Sequence, residues 1–377
     1  MKYKAFILLA SVIAFSGCRK IFNLPDEKNY LSPQADYTSK EFRPILGRTT
    51  VLNGGNIFNA ANSSFPITFQ ILNPRKGDGN PANFLLTEQP TLVWTGEYSG
   101  TETSLAQIEA KRKIETHRLL ETRGNGDLVL WYTATPALIQ PADTVVLPQN
   151  NNYIDIKVTN SGGSRIIKNL IVTPVRDQPY IPNDDYNKTT GKPNTQLPAG
   201  GQPVRNFANI QNIRNAANNQ FIDGRSIDKG IVYLYIRKFV DPAGNAAAIG
   251  HRLRFKFLDK DSAAIDPFRF NATKWIDQVH GFNPAGTAPG FDQTHTYVEY
   301  NVAYPIPLAR IPTKYTVGGV ANRNGGETAH AEFSFTRTGF GNVRETGRIL
   351  LDFAIFEKGD WEIVFHFKTA NPKFDND

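Results

Sequence analysis

Short runs of apolar residues alternating with polar ones, each stopped by glycine, proline or asparagine, recur along this chain and hold it to β architecture. Phe65–Leu72 alternates as far as Asn73-Pro74, and Leu92-Val93-Trp94 is soon followed by Gly96. Two hairpins are legible. Arg118–Thr122 returns through Arg123-Gly124-Asn125-Gly126 into Asp127–Tyr132, with glycines that allow the positive φ such turns require. Tyr153–Val158 returns through Asn160-Ser161-Gly162-Gly163 into Ile166–Val172. Further strands are expected at Gly230–Ile236, Leu253–Phe257, Tyr297–Tyr304, Glu332–Phe335, Leu350–Ile355 and Trp361–Phe367. Lys358-Gly359-Asp360 reads as a tight turn joining the last two. The best helix candidate is Thr103–Glu115, with Leu105 and Ile108 on one side.

At 377 residues the chain exceeds one ordinary β-domain and suits two. Pro174 and Pro179-Tyr180-Ile181-Pro182 close the first, and residues 183–219, with nine asparagines, read as a linker. The expected fold class is all-β: two antiparallel β-sandwiches of immunoglobulin-like or jelly-roll type behind a lipoprotein signal peptide. The expected spans are a signal peptide at 1–17, an acylated cysteine and tether at 18–40, a sandwich at 41–180, a linker at 181–225 and a second sandwich at 226–372.

The leader is read from its own pattern. Lys2 and Lys4 precede an apolar run of 11 residues, Ala5–Phe15, which is too short to span a bilayer and suits a signal-peptide core. The run ends at Ser16-Gly17-Cys18, which resembles the lipobox of bacterial lipoproteins, in which the cysteine is acylated and becomes the new N-terminus. Cys18 is the only cysteine, so the chain has no internal disulfide framework and no Cys-based zinc site. Acylation would anchor the protein to a membrane through two lipid signals. By analogy Arg19, a non-acidic residue behind the cysteine, favours the outer membrane. Surface and periplasmic faces both stay open.

A formal charge of +7 invites a nucleic-acid partner, but its distribution argues against one. Residues 1–29 carry +3 and 181–225 carry +2, whereas 30–180 and 226–377 carry only +1 each. The one tight basic triplet, Lys111-Arg112-Lys113, has Glu109 and Glu115 close on either side and reads as a solvated face.

With lipobox, tether and paired β-domains, the chain resembles accessory lipoproteins of starch-utilisation-type glycan uptake systems. Leu119–Tyr132 and Val172-Thr173-Pro174-Val175-Arg176 are similar to stretches of an uncharacterised outer-membrane lipoprotein family found in that setting. The resemblance implies a glycan-related role and a possible place in an outer-membrane transporter complex. It carries no catalytic motif.

No zinc-protease, nucleophile-elbow or Walker pattern occurs. The most suggestive local pattern is Asp277-Gln278-Val279-His280 followed by Asp292-Gln293-Thr294-His295, across a Gly- and Pro-rich loop. If the loop folds back, Asp277, His280, Asp292 and His295 make a divalent-metal set; loop residues that satisfy the backbone are the plainer explanation, and no cofactor is expected. Trp275, Phe282 and Phe291, with Asp277 and Asp292, form a candidate glycan site, because aromatic faces stack on sugars while carboxylates bind hydroxyls. Trp94, Trp131 and Trp361 lie within strand patterns and are assigned to the core. Among the carboxylates near strands, Asp277, Asp292, Glu299 and Glu332, the sequence pairs none. Asp184-Asp185, with Asn183 and Asn187, offers oxygen ligands for calcium but lacks the spacing of an established loop, and reads as solvated linker.

The expected function is that of a non-catalytic cell-envelope lipoprotein that binds glycans or assists an outer-membrane uptake system. The alternatives are a glycan or metal-dependent hydrolase, and a structural or adhesin-type envelope protein.

Overall fold

The computed structural model describes residues 29–52, 57–142, 148–183, 208–223, 232–241, 249–283, 285–287, 289–316, 326–375 and 377. The signal peptide, Cys18 and Asp184-Asp185 lie outside the described residues. The fold is all-β. The described parts of 1–88 and 118–175 form one compact unit, and those of 89–117 and 176–377 form a second. This division differs from the expected 41–180 and 226–372, because residues 89–117 leave the first unit's chain to fold with the second.

In the first unit a four-stranded sheet runs in the order Glu41–Phe42, Gly163–Val172, Asn152–Asn160, Thr68–Lys76. Its first pair is parallel and the others antiparallel. A three-stranded sheet sets Leu128–Leu130 between Thr50–Leu52 and Leu120–Thr122. Side chains alternate across these strands, so Ile154, Ile156, Val158, Leu120 and Leu130 meet in one apolar core.

Both expected hairpins form, with Leu120 opposite Leu130 and Asn160 opposite Gly163. In the first turn it is Gly126, at φ 88°, that needs to be glycine; a Cβ there would sit 2.8 Å from that of Phe58. The strand expected to stop at Asn73 continues to Lys76. A register shift at Asp155 absorbs the irregularity of Asn73, at φ 47°, and Pro74. The Asp155 carboxylate holds this bulge. It accepts from Asn169 N and Asn73 Nδ2, both at 3.0 Å, and from Arg75 at 3.3 Å. Burial works to raise its pKa, but these donors hold it below the usual carboxylate value.

The second unit is built on a six-stranded sheet. Val232–Lys238, Trp361–Phe367, Arg252–Leu258, Val298–Val302 and Gly281–Phe282 follow in order, and Asp292–Gln293 also pairs with Val298–Val302. Arg252–Leu258 and Trp361–Phe367 run parallel. In the other sheet Arg344–Ile355 pairs with Ala329–Thr338, Tyr180–Ile181 and Asn209–Gln211. Phenylalanines from both sheets form the core: Phe257 stacks on Phe365 at 5.3 Å and meets Phe333 edge-on at 5.1 Å. Gly347 leaves room for Phe335, whose ring would lie 2.8 Å from an added Cβ.

Three expectations change here. Leu350–Ile355 and Trp361–Phe367 lie in different sheets, so the chain between them crosses the sandwich and is not a hairpin turn. Both strands are apolar on their core-facing side, and sequence alternation alone does not say which sheet each joins. Part of the expected linker also belongs to the fold, since Asn209–Gln211 pairs with Arg348–Leu350 and Ile213 and Ile222 are buried. The helix is a single turn, Leu105–Glu109, with the Ser104 hydroxyl accepting from Gln107 N. From Arg112 the chain is already extended and pairs with Glu88–Trp94.

Candidate functional site

The paired strands Glu88–Trp94 and Arg112–Arg118 enclose an excursion whose base is closed by Thr95 N and Gly96 N donating to Lys111 O. Inside it, Ser99 N and Gly100 N bind the Glu102 carboxylate at 3.1 and 3.0 Å, and Lys111 pairs with the same group. Lys111 also donates to Glu97 O at 2.7 Å. Burial alone would raise the Glu102 pKa, but the Lys111 ammonium and the backbone donors outweigh it and lower the group to about 2.

This excursion sets Tyr98 against His280. The Tyr98 hydroxyl lies 2.6 Å from His280 Nδ1, and His280 Nε2 lies 2.8 Å from the Glu102 carbonyl oxygen. A carbonyl only accepts, so Nε2 carries the proton and the bare Nδ1 accepts from Tyr98. Burial pushes the His280 pKa down and keeps the ring neutral, against the pull of the Glu102 carbonyl and carboxylate. The Tyr98 hydroxyl is raised, by burial first and then by the charge of Glu102.

The rings continue in both directions. His280 stacks on Tyr315 at 4.8 Å and 9°, while Tyr98 lies 5.5 Å from Trp94. The guanidinium of Arg112 sits over the Trp94 indole at 5.2 Å, fixed by Glu109 and by donation to Tyr304 O at 3.0 Å. At the far end Lys314 lies over Tyr315 at 4.9 Å and pairs with Asp277 at 2.9 Å. The result is a ladder of four rings that starts at Trp94, which keeps 37% of its surface in solvent. Trp131, Trp275 and Trp361 are buried. Trp94 therefore differs from the core assignment given to it by sequence: the strand pattern is correct, but its side chain is outside.

A partly enclosed cleft adjoins the ladder. Tyr98, His280, Ala303, Leu308, Ala309 and Thr313 are among its walls, and it encloses ≈ 370 Å³ of space that includes open solvent. Its narrow interior has room for about one or two waters, less than a sugar ring needs.

The residues singled out in the 275–295 loop have separate partners. Trp275 is a core residue packed on Phe257, Phe270 and Phe333, and its carbonyl accepts from Tyr300 at 2.6 Å. Phe291 packs against the same core beside Tyr300, and Phe282 lies 5.3 Å from His280. Asp277 faces Lys314, and both nitrogens of His280 are engaged inside the ladder. His295 is exposed and bonds Asp266 at 2.7 Å. Among the described residues no group of three His, Cys, Asp or Glu is placed to hold a metal ion. The two Asp-Gln-x-His copies thus do different work: Gln278 binds Glu332 N at 2.7 Å, whereas Gln293 lies in a short strand opposite Val298.

Asp292 is opposite Glu299, at the end of a charged row that crosses the sheet from Arg237 through Glu362, Arg254 and Glu299. Arg254 pairs with Glu299 and with Asp241 at 2.8 Å. Burial raises the Glu299 pKa despite Arg254 and Arg252, and the nearby Asp292 adds to the rise.

A family model described as a domain of unknown function, DUF5007, matches residues 58–376, most of the chain. The chain belongs to the DUF5007 family. No curated protein and no solved structure matches it. The DUF5007 match takes in every rung of the ladder, from Trp94 to Tyr315. Sequence reasoning missed Tyr98 and Tyr315 because each meets His280 from another part of the chain, 182 residues away for Tyr98, and it missed Glu102 although the partners of its carboxylate are local. The one local signal was the aromatic–acid spacing Trp94, Tyr98, Glu102, which is also what an amphipathic surface segment shows.

Proposed function

We propose that this DUF5007 protein is a non-catalytic, lipid-anchored protein of the outer membrane that binds glycans at the Trp94 face. The observation that carries the reading is Trp94 itself: an indole part-exposed to solvent, held by Tyr98 and by the Arg112 guanidinium, with Glu109 beside it. A ring fixed before the ligand arrives loses little entropy on stacking, and the neighbouring carboxylate and guanidinium suit sugar hydroxyls. Carboxylates of the second unit serve as ion-pair partners: Asp277 with Lys314, Glu102 with Lys111, and Glu299 with Arg254. That use favours binding over acid–base chemistry. The apolar leader and Cys18 support the anchor, and the resemblance to glycan-uptake lipoproteins supports a transporter complex as partner.

The test is titration of the full chain with a panel of oligosaccharides, read by tryptophan fluorescence. Saturable quenching that Trp94→Ala abolishes, with the thermal midpoint nearly unmoved, is the expected result. A panel on which no glycan binds refutes it. Reducing ends are measured in the same mixtures. Sugar release lost in both Asp292→Asn and Glu299→Gln would make the protein a hydrolase instead. Cys18→Ser is expected to move the protein from the membrane to the soluble fraction.

A further inference from the structure

We infer that the cleft beside Trp94 receives the acetamido group of an N-acetylated amino sugar, an inference that rests on the glycan reading above and narrows its ligand class. Three observations converge on this. First, Tyr98 belongs to both places: its ring lies 5.5 Å from Trp94 and also lines the cleft. A hexose on the indole therefore has the cleft one ring's width away, within reach of a substituent on the sugar.

Second, the cleft is narrow and apolar. Ala303, Leu308 and Ala309 contribute aliphatic surface, and the polar atoms of the threonines are turned to their own backbone. Thr316 Oγ1 donates to Ile311 O at 3.1 Å and accepts from Thr313 N at 2.6 Å. A methyl group suits that aliphatic wall, whereas a hydroxyl set against Ala303, Leu308 and Ala309 would lose water and gain no partner from them.

Third, the direction of the hydrogen bonds selects a donor. The Glu102 carbonyl fixes the proton on His280 Nε2, so the Tyr98 hydroxyl donates to His280 Nδ1, and the phenolic oxygen is left with only its lone pairs to offer. An amide N–H supplies what that oxygen lacks. An acetamido group joins such an N–H to a methyl across one carbonyl, and so matches both the oxygen and the apolar wall. His280 is a positioning residue in this scheme, because it acts through Tyr98.

Isothermal calorimetry of the full chain with chitotriose and cellotriose tests the inference, since these trimers share a β-1,4 backbone and differ in the acetamido group. One methyl in an apolar pocket is worth about 10- to 200-fold in discrimination, so chitotriose is expected to bind at least about tenfold more tightly. Ala309→Leu, at a half-buried wall position, fills the cleft, and Tyr98→Phe removes the acceptor. Each is expected to reduce the preference to within about threefold, and in Ala309→Leu fluorescence still reports stacking on Trp94. Equal affinities in the wild type, or a preference that survives both substitutions, overturn the inference. If other glycans bind in a Trp94-dependent way and chitotriose does not, the acetamido assignment fails alone; if no glycan binds, both readings fail.

Discussion

Replacing Glu102 by glutamine removes one charge from the base of the ladder and changes little else in shape. The carboxylate is almost wholly enclosed, with Lys111 beside it and the amides of Ser99 and Gly100 donating into it. Its pKa is lowered from 4.5 to about 2. At about 1.4 kcal/mol for each tenfold change, the folded state gains about 3 kcal/mol from the ionised form. The sign follows from a depressed carboxylate pKa. The stabilisation is complete above pH 4.5 and disappears as the pH falls towards 2. Hydrogen exchange at the Ser99 and Gly100 amides reads this directly. Near neutral pH, Glu102→Gln is expected to speed local opening by about 150-fold, the equivalent of about 3 kcal/mol. At pH 2 the two proteins should differ by less than about 0.5 kcal/mol, because wild-type Glu102 is then about half protonated in the folded state and almost fully protonated in the unfolded one. A difference that stays constant between these pH values, or one below about threefold at neutral pH, refutes the account of Glu102 as a charge-locked clasp.

Trp275→Ala should destabilise the protein by about 3–5 kcal/mol in urea unfolding, as an emptied core position does, with no selective loss of glycan binding. A stable variant that fails to bind would restore Trp275 as a contact residue. Asp155→Ala should cost about 2 kcal/mol by the same measurement, because three donors at the bulge lose their acceptor. Since the Asp155 pKa is lowered, the wild type should lose that advantage as pH falls through the carboxylate range; equal sensitivity in both proteins would contradict it.

Strand patterns and turn residues made the all-β class and both hairpins of the first unit legible, because those features depend on neighbours in sequence. Which sheet a strand joins depends on partners at long range. Trp361–Phe367 and Leu350–Ile355 look like a hairpin by alternation, yet each buries its apolar side from a different sheet. The candidate site was harder still. The Asp-Gln-x-His repeat drew attention to a loop where His280 does belong to the ladder, but its carboxylate and imidazole copies have unrelated partners. Trp94 and Trp275 exchange the roles their surroundings suggested. A tryptophan in a strand has one of two faces, and a tryptophan in a loop has a core within reach, so local sequence does not decide exposure in either case.

The detour of residues 89–117 bears on how such a protein is inherited and handled. The chain leaves one unit, completes part of the other and returns, so neither unit is a single stretch of sequence. A shortened chain starting at residue 226 would omit Trp94, Tyr98 and Glu102, and with them the face proposed to meet the sugar. The second unit cannot be traded between genes by a single crossover and keep that face. Recombination that preserves it has to carry residues 118–175 of the first unit along, and any attempt to isolate the binding half must splice two segments of the gene rather than cut once.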